Sequence, residues 1–280
     1  MIYLLLAILC GTCMSVVMRL SSSRVKCKIS MLAVNYLTCV ITAVCFIGPK
    51  SIFISGGDMP WAIGLGALNG VFFMTALMCN QYSVARTGIV MPSVFSRMGG
   101  LLVPLAFSIF MFGELPGIMQ VIGAVLAVAG ILMMNLRRGG TVSNGCIPAL
   151  TALLFTEGMA SSMTKVYQET GNPAYSDHFL LCTFASAFIL CLIVVLLRRE
   201  RPGIWELIFG MLFGVPNILA TRCILKALET VPAIIVYPTR SVGVIALIAL
   251  IGVAVFKERL SKRQIIALGM IISAVIMLNT

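Results

Sequence analysis

Apolar residues along this chain fall in long unbroken runs, and they do not alternate with polar residues as they would in a membrane barrel. An α-helix needs about 20 apolar residues to cross the hydrocarbon core of a bilayer. The runs have about that length, and short polar connections separate them. The pattern predicts an all-α integral membrane protein with ten transmembrane helices, over residues 2–20, 29–48, 60–79, 87–111, 116–136, 145–165, 174–197, 204–226, 230–256 and 262–279.

Short motifs recur in the same order in the two halves of the chain, which indicates an internal duplication. Phe112-Gly113-Glu114 returns 144 residues later as Phe256-Lys257-Glu258. Other pairs at an offset of 144 or 146 residues are Gly66 and Gly210, Gly70 and Gly214, Ser15 and Ser161, Arg19 and Lys165, and Pro92 and Pro238. Duplicated membrane units are typical of transporters. We predict two five-helix repeats, residues 1–139 and 140–280; because five is odd, the second repeat is inverted relative to the first.

Composition and charge indicate where the chain resides. Hydrophobic residues make up 60% of the sequence and charged residues 10%, and the mean hydropathy is +1.08. The net charge of +11 does not indicate nucleic-acid binding, because 14 basic residues lie on one side of the predicted spans and three on the other. By the positive-inside rule the basic side is cytoplasmic. We expect a multi-pass protein of the cell membrane (inner or plasma membrane), with both termini outside and the lipid bilayer as a partner.

Two arginines lie deep inside predicted spans. Arg97 and Arg240 each follow a proline, Pro92 or Pro238, and they enter their helices from opposite faces of the membrane. A charge at the bilayer centre costs about 2.5–3.5 kcal/mol on insertion scales, so such residues usually face a cavity. A guanidinium group binds carboxylate or phosphate through two parallel hydrogen bonds. We predict that both arginines bind substrate; the structural alternative is that they bond carbonyl groups and hold the halves together.

Glu157 is the acidic residue that lies well inside a predicted span, with Ser161 and Lys165 on the same face of its helix. Its repeat counterpart is Gly11, so the predicted site is asymmetric. Burial raises the pKa of a carboxyl group, while a neighbouring arginine lowers it. Two roles are therefore open for Glu157: a proton carrier that also contacts substrate, or a fixed counter-ion to an arginine.

Other polar and aromatic residues at similar depth complete the predicted cavity. The candidates are Arg222, Tyr237, Asn35, Asn69, Asn217, Phe95 and Ser93, with Tyr36, Phe72 and Phe184 as further aromatic candidates. Arg222 lies close to the outer end of its span, so its side chain could instead reach the membrane surface.

His178 is predicted to be a solvated loop residue. Glu114 and Glu258 are interpreted as structural, because a carboxylate just before a helix favours the positive end of the helix dipole.

Two five-helix halves, each with a proline-bearing fourth helix and a Phe-x-Glu turn before a Gly/Ala-rich last helix, resemble the EamA-type members of the drug/metabolite transporter superfamily. The resemblance implies ten helices, a central cavity lined by the first four helices of each half, and alternating access. The superfamily carries amino acids, nucleotide sugars, sugar phosphates and drugs, so it does not name a substrate. In the related small multidrug resistance proteins a first-helix glutamate exchanges protons for substrate, which implies proton coupling through Glu157.

Three arginines against one glutamate leave excess positive charge at the predicted site. The leading hypothesis is therefore a secondary transporter, proton-coupled or exchanging, of a small anionic or zwitterionic metabolite, such as an amino acid or a phosphate or phosphonate compound. The alternatives are an exporter of cationic drugs or quaternary amines, and a flippase of a lipid-linked sugar. The chain has no H-E-x-x-H, G-x-S-x-G or Walker motif, so we expect neither an enzyme nor a cofactor or metal site. A monomer is expected, with a dimer as the alternative.

Overall fold

A computed structural model of the protein describes residues 1–21, 24–48, 57–87, 90–135, 146–254 and 262–278. Within these ranges the chain forms ten α-helices, a short 3₁₀ turn at Pro173–Tyr175 and no strand. The helices are α1 Ile2–Ser21, α2 Lys28–Ile47, α3 Met59–Thr87, α4 Val90–Phe112, α5 Ile118–Asn135, α6 Ile147–Thr170, α7 Ser176–Leu197, α8 Ile204–Leu228, α9 Ala233–Ala254 and α10 Lys262–Leu278. The prediction of an all-helical protein is confirmed.

The helices form two compact units, and each unit draws on both halves of the sequence. Unit 1 comprises Met1–Met74 and Val166–Glu229, and unit 2 comprises Thr75–Lys165 and Thr230–Thr280. Unit 1 is therefore built on α1, α2, α7, α8 and most of α3. Unit 2 is built on α4, α5, α9, α10 and most of α6. The predicted division of the sequence repeat at residue 139 stays a prediction.

Seven of the described helices are long and apolar enough to cross a membrane. They contain the segments Ile2–Ser21, Lys28–Ile47, Met59–Val84, Met91–Phe112, Pro173–Leu197, Ile204–Leu228 and Ala233–Gly252. Two shorter apolar helices cover Ile118–Met133 and Ile265–Leu278, and α6 is the most polar of the ten because it contains Glu157 and Lys165. The chain is thus a multi-pass membrane protein, while the number of ten crossings stays a prediction.

Helix α8 has an exposed apolar face and a buried face that carries two glycines. Ile208, Met211 and Val215 are exposed on one face, as lipid contact requires. Gly210 and Gly214 lie on the buried face, where an added Cβ would come within 2.7 Å of the Met31 carbonyl oxygen and within 2.8 Å of the Asn35 carbonyl oxygen. The two glycines therefore bring the backbones of α8 and α2 into contact.

The repeat counterparts of these glycines make an equivalent contact inside unit 1. An added Cβ at Gly66 would lie 2.6 Å from the carbonyl oxygen of Phe179, and one at Gly70 would overlap Ser186. Helix α3 therefore packs against α7 as closely as α8 packs against α2. The two glycine pairs, which correspond in the repeat, therefore both serve close helix packing.

Two sequence expectations are corrected by the fold. Pro92 is the third residue of α4, where a proline removes no hydrogen bond within the helix, so it does not kink the helix at Arg97. Pro104 and Pro238 are the prolines inside α4 and α9. His178 is buried in the first turn of α7 and is not a solvated loop residue. Glu258, which was interpreted as structural, lies outside the described residues.

Candidate functional site

Three charged side chains converge in unit 2 from three different helices. Arg97 is the eighth residue of α4, Arg240 is the eighth residue of α9, and Glu157 lies near the middle of α6. Seven residues of helix correspond to about 10 Å, so both arginines lie equally far from the first residue of their helices. We call Arg97, Arg240 and Glu157 the charge cluster.

The members of the charge cluster interact electrostatically without forming an ion pair. Arg97 and Arg240 repel each other, and Glu157 attracts both. Among the described residues, no ion pair joins Glu157 to either guanidinium group. All three side chains are half-buried, so each retains accessible surface. The cluster therefore has hydrogen-bonding capacity that no ion pair within the described residues uses.

Two adjacent glycines of α4 shape the space around the charge cluster. At Gly99 an added Cβ would overlap the carbonyl group of Leu154, so α4 and α6 touch through their backbones there. At Gly100 an added Cβ would lie 3.6 Å from Ser161 Oγ and 4.0 Å from Glu157 Cγ. The absence of a side chain at Gly100 therefore keeps space free beside Glu157.

Tyr237 supports the cluster from α9. Its hydroxyl group donates a 2.8 Å hydrogen bond to the carbonyl oxygen of Ser161, one turn after Glu157 on α6. The side chain is only 1% exposed, and Arg240 interacts with it electrostatically. This geometry makes Tyr237 a link between α9 and α6, and the predicted substrate contact stays a prediction. Ser93 and Phe95 are half-buried on α4, before Arg97.

Sequence reasoning missed a second charged site in unit 2, which we call the paired site. The carboxylate of Glu114 lies 2.7 Å from the Lys165 ammonium group. It also accepts from the backbone N–H groups of Ala233 (3.5 Å) and Ile234 (3.3 Å) at the start of α9. Glu114 was predicted to stabilise the start of the helix that follows it in sequence, but it lies at the start of α9 instead. No motif or spacing in the sequence connects Glu114 to Lys165, so no signal was available to find the pair.

Local backbone geometry places Glu114 there. Gly113 directly follows α4 and has φ +66°, a left-handed conformation that glycine adopts without steric cost. The turn presents the next side chain, Glu114, to Lys165. Lys165 itself is 2% exposed inside α6 and lies over the ring of Phe112, 5.6 Å from its centroid. Lys165 is therefore a buried structural cation.

The remaining candidates lie in unit 1. Asn217 on α8 donates a 3.2 Å hydrogen bond to the side-chain oxygen of Asn35 on α2, and Cys39 lies beside both. Asn69 on α3 is fully buried, and neither its amide nitrogen nor its amide oxygen has a hydrogen-bond partner among the described residues. Phe184 packs against Tyr36 and Phe73. These contacts are those of a helix interface, and the predicted substrate roles are untested.

Arg222 has a direct partner. Its guanidinium group lies 2.7 Å from the carboxylate of Asp177 at the start of α7 and 4.1 Å from the ring centre of Phe46. It therefore differs from Arg97 and Arg240, whose charges stay unpaired within the described residues. Its predicted contact with substrate stays a prediction.

Apolar helices long enough to cross a membrane, with charged side chains converging between α4, α6 and α9 in unit 2, define a multi-pass membrane protein with a polar site among its helices. The EamA-like transporter family matches residues 1–136 and 144–280, and the chain belongs to that family. Members of this family are transporters and not enzymes. The resemblance in the sequence is thereby confirmed.

Two further comparisons show what the chain is similar to. An uncharacterized protein of Haemophilus influenzae is 24% identical over 284 residues, covering 97% of this chain and 95% of that protein. A protein crystal structure matches 99% of this chain and 94% of its own with a TM-score of 0.78 and 16% identity, which shows the fold alone.

Proposed function

We propose that this protein is a secondary transporter that carries a small anionic or zwitterionic organic metabolite by alternating access. Candidate cargoes are amino acids and phosphate or phosphonate compounds. The proposal includes ten membrane crossings in two inverted five-helix repeats, a location in the cell membrane with both termini outside, and function as a monomer. The single observation that carries the choice of cargo is the unpaired state of Arg97 and Arg240.

Charge balance favours an anionic group on the cargo. Two guanidinium groups and one carboxylate leave one excess positive charge in the charge cluster. Uncompensated charge inside a membrane protein is costly unless a partner or water satisfies it. A carboxylate or phosphate bound between Arg97 and Arg240 would supply that partner through charge-assisted hydrogen bonds. The ammonium group of an amino acid would then be placed near Glu157.

Glu157 supports proton coupling in the same scheme. A carboxylate that makes no ion pair among the described residues is free to take up a proton when its environment changes. Binding of an anionic cargo would withdraw positive charge from Glu157 and favour its protonated form. We propose that cargo and proton bind together and cross together.

The test is uptake by the purified protein in liposomes across a panel of amino acids, phosphorylated metabolites and lipophilic cations. Arg97→Gln and Arg240→Gln are each expected to lower anion uptake about 10- to 100-fold, because a hydrogen bond to a charged group contributes about 1.5–3 kcal/mol. Arg86→Gln is the matched control, because Arg86 is exposed and lies outside the cluster. Its uptake should equal that of the wild type.

Two outcomes would contradict the proposed cargo. Preferential transport of cations that persists in both arginine variants and disappears in Glu157→Gln would identify an exporter of cationic drugs. Movement of a lipid-linked sugar, with no uptake of any soluble compound, would identify a flippase. For proton coupling, uptake of the preferred anion should rise when an inward proton gradient is imposed, and Glu157→Gln should abolish that response.

A further inference from the structure

Six exposed cationic side chains lie in two connections of unit 1. They are Arg24, Lys26, Lys28, Arg198, Arg199 and Arg201, and we call them the basic platform. The first three lie between or at the ends of α1 and α2, and the others lie between α7 and α8. Both connections join consecutive helices that are long enough to span the membrane, so both lie at a membrane surface. Among the described residues, none of the six forms an ion pair.

Hydrogen bonds hold the two connections together. The Glu206 side chain accepts from the backbone N–H of Lys26 at 2.9 Å and of Cys27 at 3.1 Å, and its other oxygen accepts from Gly203 at 3.1 Å. The Glu200 carboxylate accepts from the Ser30 hydroxyl at 2.9 Å. The two acidic residues of the region are thus engaged with backbone and hydroxyl groups. The six cations remain without a carboxylate partner and share one surface.

Arg199 places a cation at a backbone position that suits glycine better. Arg199 has φ +52°, and it is the left-handed residue of a Schellman motif at the end of α7. The motif's two hydrogen bonds run from Arg199 N–H to Leu196 O (3.1 Å) and from Glu200 N–H to Val195 O (3.1 Å). Glycine would adopt this conformation without strain. The strained arginine places one more guanidinium group on the platform.

Apolar side chains border the basic platform on the membrane side. Leu197 and Ile204 are strongly exposed at the ends of α7 and α8. Trp205 is exposed next to them, and the Arg24 guanidinium lies 4.9 Å from the centre of its ring. Tryptophan and arginine at the membrane surface have an apolar body in the acyl region and a polar tip among the headgroups.

We propose that the basic platform is a binding site for the headgroup of an anionic glycerophospholipid. The headgroup phosphate lies among the six cations, and the acyl chains run along Leu197, Ile204 and Trp205. Clusters of four to eight basic residues next to a membrane helix attract anionic lipids. This platform adds a fixed geometry, because hydrogen bonds join its two connections. The lipid would hold the ends of four helices of unit 1 together.

The experiment measures lipid binding to the full chain in detergent by native mass spectrometry, with phosphatidylglycerol and phosphatidylcholine as probes. The wild type should retain phosphatidylglycerol preferentially at low lipid ratios. Arg198→Gln with Arg201→Gln should weaken that binding about 25-fold, because each cation near an anionic lipid contributes roughly a fivefold factor. Arg86→Gln with Arg263→Gln is the matched control: it removes two exposed charges from unit 2 and should leave phosphatidylglycerol binding unchanged.

Four results would overturn the proposal. The first is that both lipids are retained equally, and the second is that the two double variants lose phosphatidylglycerol binding equally. The third is that inorganic phosphate alone binds as tightly as phosphatidylglycerol, and the fourth is that poly-glutamate binds as tightly as phosphatidylglycerol. The phosphate result would point to a soluble anion site, and the poly-glutamate result to an acidic protein partner. If a double variant fails to fold, lipid binding to the wild type is measured in 1 M NaCl instead, because that salt concentration reduces the Debye length to about 3 Å. Phosphatidylglycerol should then dissociate while phosphatidylcholine binding stays constant.

A third variant separates the lipid role of Arg199 from its backbone role. Arg199→Gly should raise the unfolding temperature, because glycine relieves the left-handed strain, and should weaken phosphatidylglycerol binding about fivefold. A purely structural arginine would lower the unfolding temperature when replaced and leave lipid binding unchanged. These outcomes do not depend on the transported cargo.

Discussion

The charge cluster and the paired site lie in the same unit, and α6 and α9 contribute to both. In the paired site Glu114 contacts Lys165 and two backbone N–H groups, so every charge has a partner. In the charge cluster Glu157 and two arginines approach each other without an ion pair among the described residues. Charged side chains inside unit 2 therefore occur in two arrangements. The paired site joins α6 to α9, and the unpaired charges of the charge cluster are the basis of the proposed cargo site.

The paired site and the charge cluster are also connected through the helices α6 and α9, which contribute to both. Lys165 lies eight residues after Glu157 on α6, and Glu114 contacts the first residues of α9, seven residues before Arg240. The paired site therefore connects α6 and α9, the helices that carry Glu157 and Arg240. Tyr237 adds a second link between α9 and α6, between the paired site and the charge cluster.

The largest effect is expected from breaking the paired site. Glu114→Ala leaves the Lys165 ammonium group buried without its carboxylate and removes the acceptor at the start of α9. We expect the free energy of unfolding in mixed micelles to fall by about 3–5 kcal/mol. The double variant Glu114→Ala with Lys165→Met should regain most of this loss, leaving about 1 kcal/mol for the lost helix cap. An equal loss in the single and double variants would show that the pair does not stabilise the fold.

Replacing glutamate by glutamine should have different effects in the charge cluster and in the paired site. Glu157→Gln keeps the shape of the side chain and breaks no ion pair among the described residues, so the free energy of unfolding should change by less than about 1 kcal/mol. Uptake of the transported anion should nevertheless lose its response to a proton gradient. Glu114→Gln should do the opposite, with a clear loss of stability and an intact proton response. If both variants lose stability equally, the distinction between paired and unpaired charge fails.

A smaller effect is expected at Tyr237. Tyr237→Phe removes the 2.8 Å hydrogen bond to the Ser161 carbonyl and keeps the packing of the ring. A neutral buried hydrogen bond contributes about 1 kcal/mol, so the unfolding free energy should fall by about that amount. If Tyr237 instead contacts the cargo, the half-saturating substrate concentration of the variant will rise by much more than a loss of about 1 kcal/mol in stability can explain.

Sequence reasoning located the helices and the glycine interfaces because both follow from local patterns. Runs of apolar residues set the helices, and small residues four apart set the contacts of α3 with α7 and of α8 with α2. It also selected Arg97, Arg240 and Glu157, because a charge in an apolar run is visible without a structure. The structure then brought these three together in one unit.

The partners of charged residues could not be predicted in the same way. Glu114 lies next to α5 in sequence and contacts α9 in space, because contacts between distant segments decide which helix end it meets. Lys165 was predicted to be the last residue of its span, but α6 extends five residues further, so Lys165 lies inside the helix. Arg222 was a candidate for substrate, and its partner Asp177 lies 45 residues earlier. A single sequence contains no signal for such pairs.

The smallest change in stability is expected at Gly100, and its neighbour provides the control. Gly100→Ala adds a methyl group at ordinary contact distance from Ser161 Oγ and Glu157 Cγ, so the unfolding free energy should change by less than about 0.5 kcal/mol. The same methyl group occupies space beside the charge cluster, so uptake of bulky anions should fall more than uptake of small ones. Gly99→Ala should give little folded protein, because its Cβ would overlap the Leu154 carbonyl and push α4 away from α6. Unchanged uptake of every anion by a stable Gly100→Ala variant would mean that the space beside Glu157 does not receive the cargo.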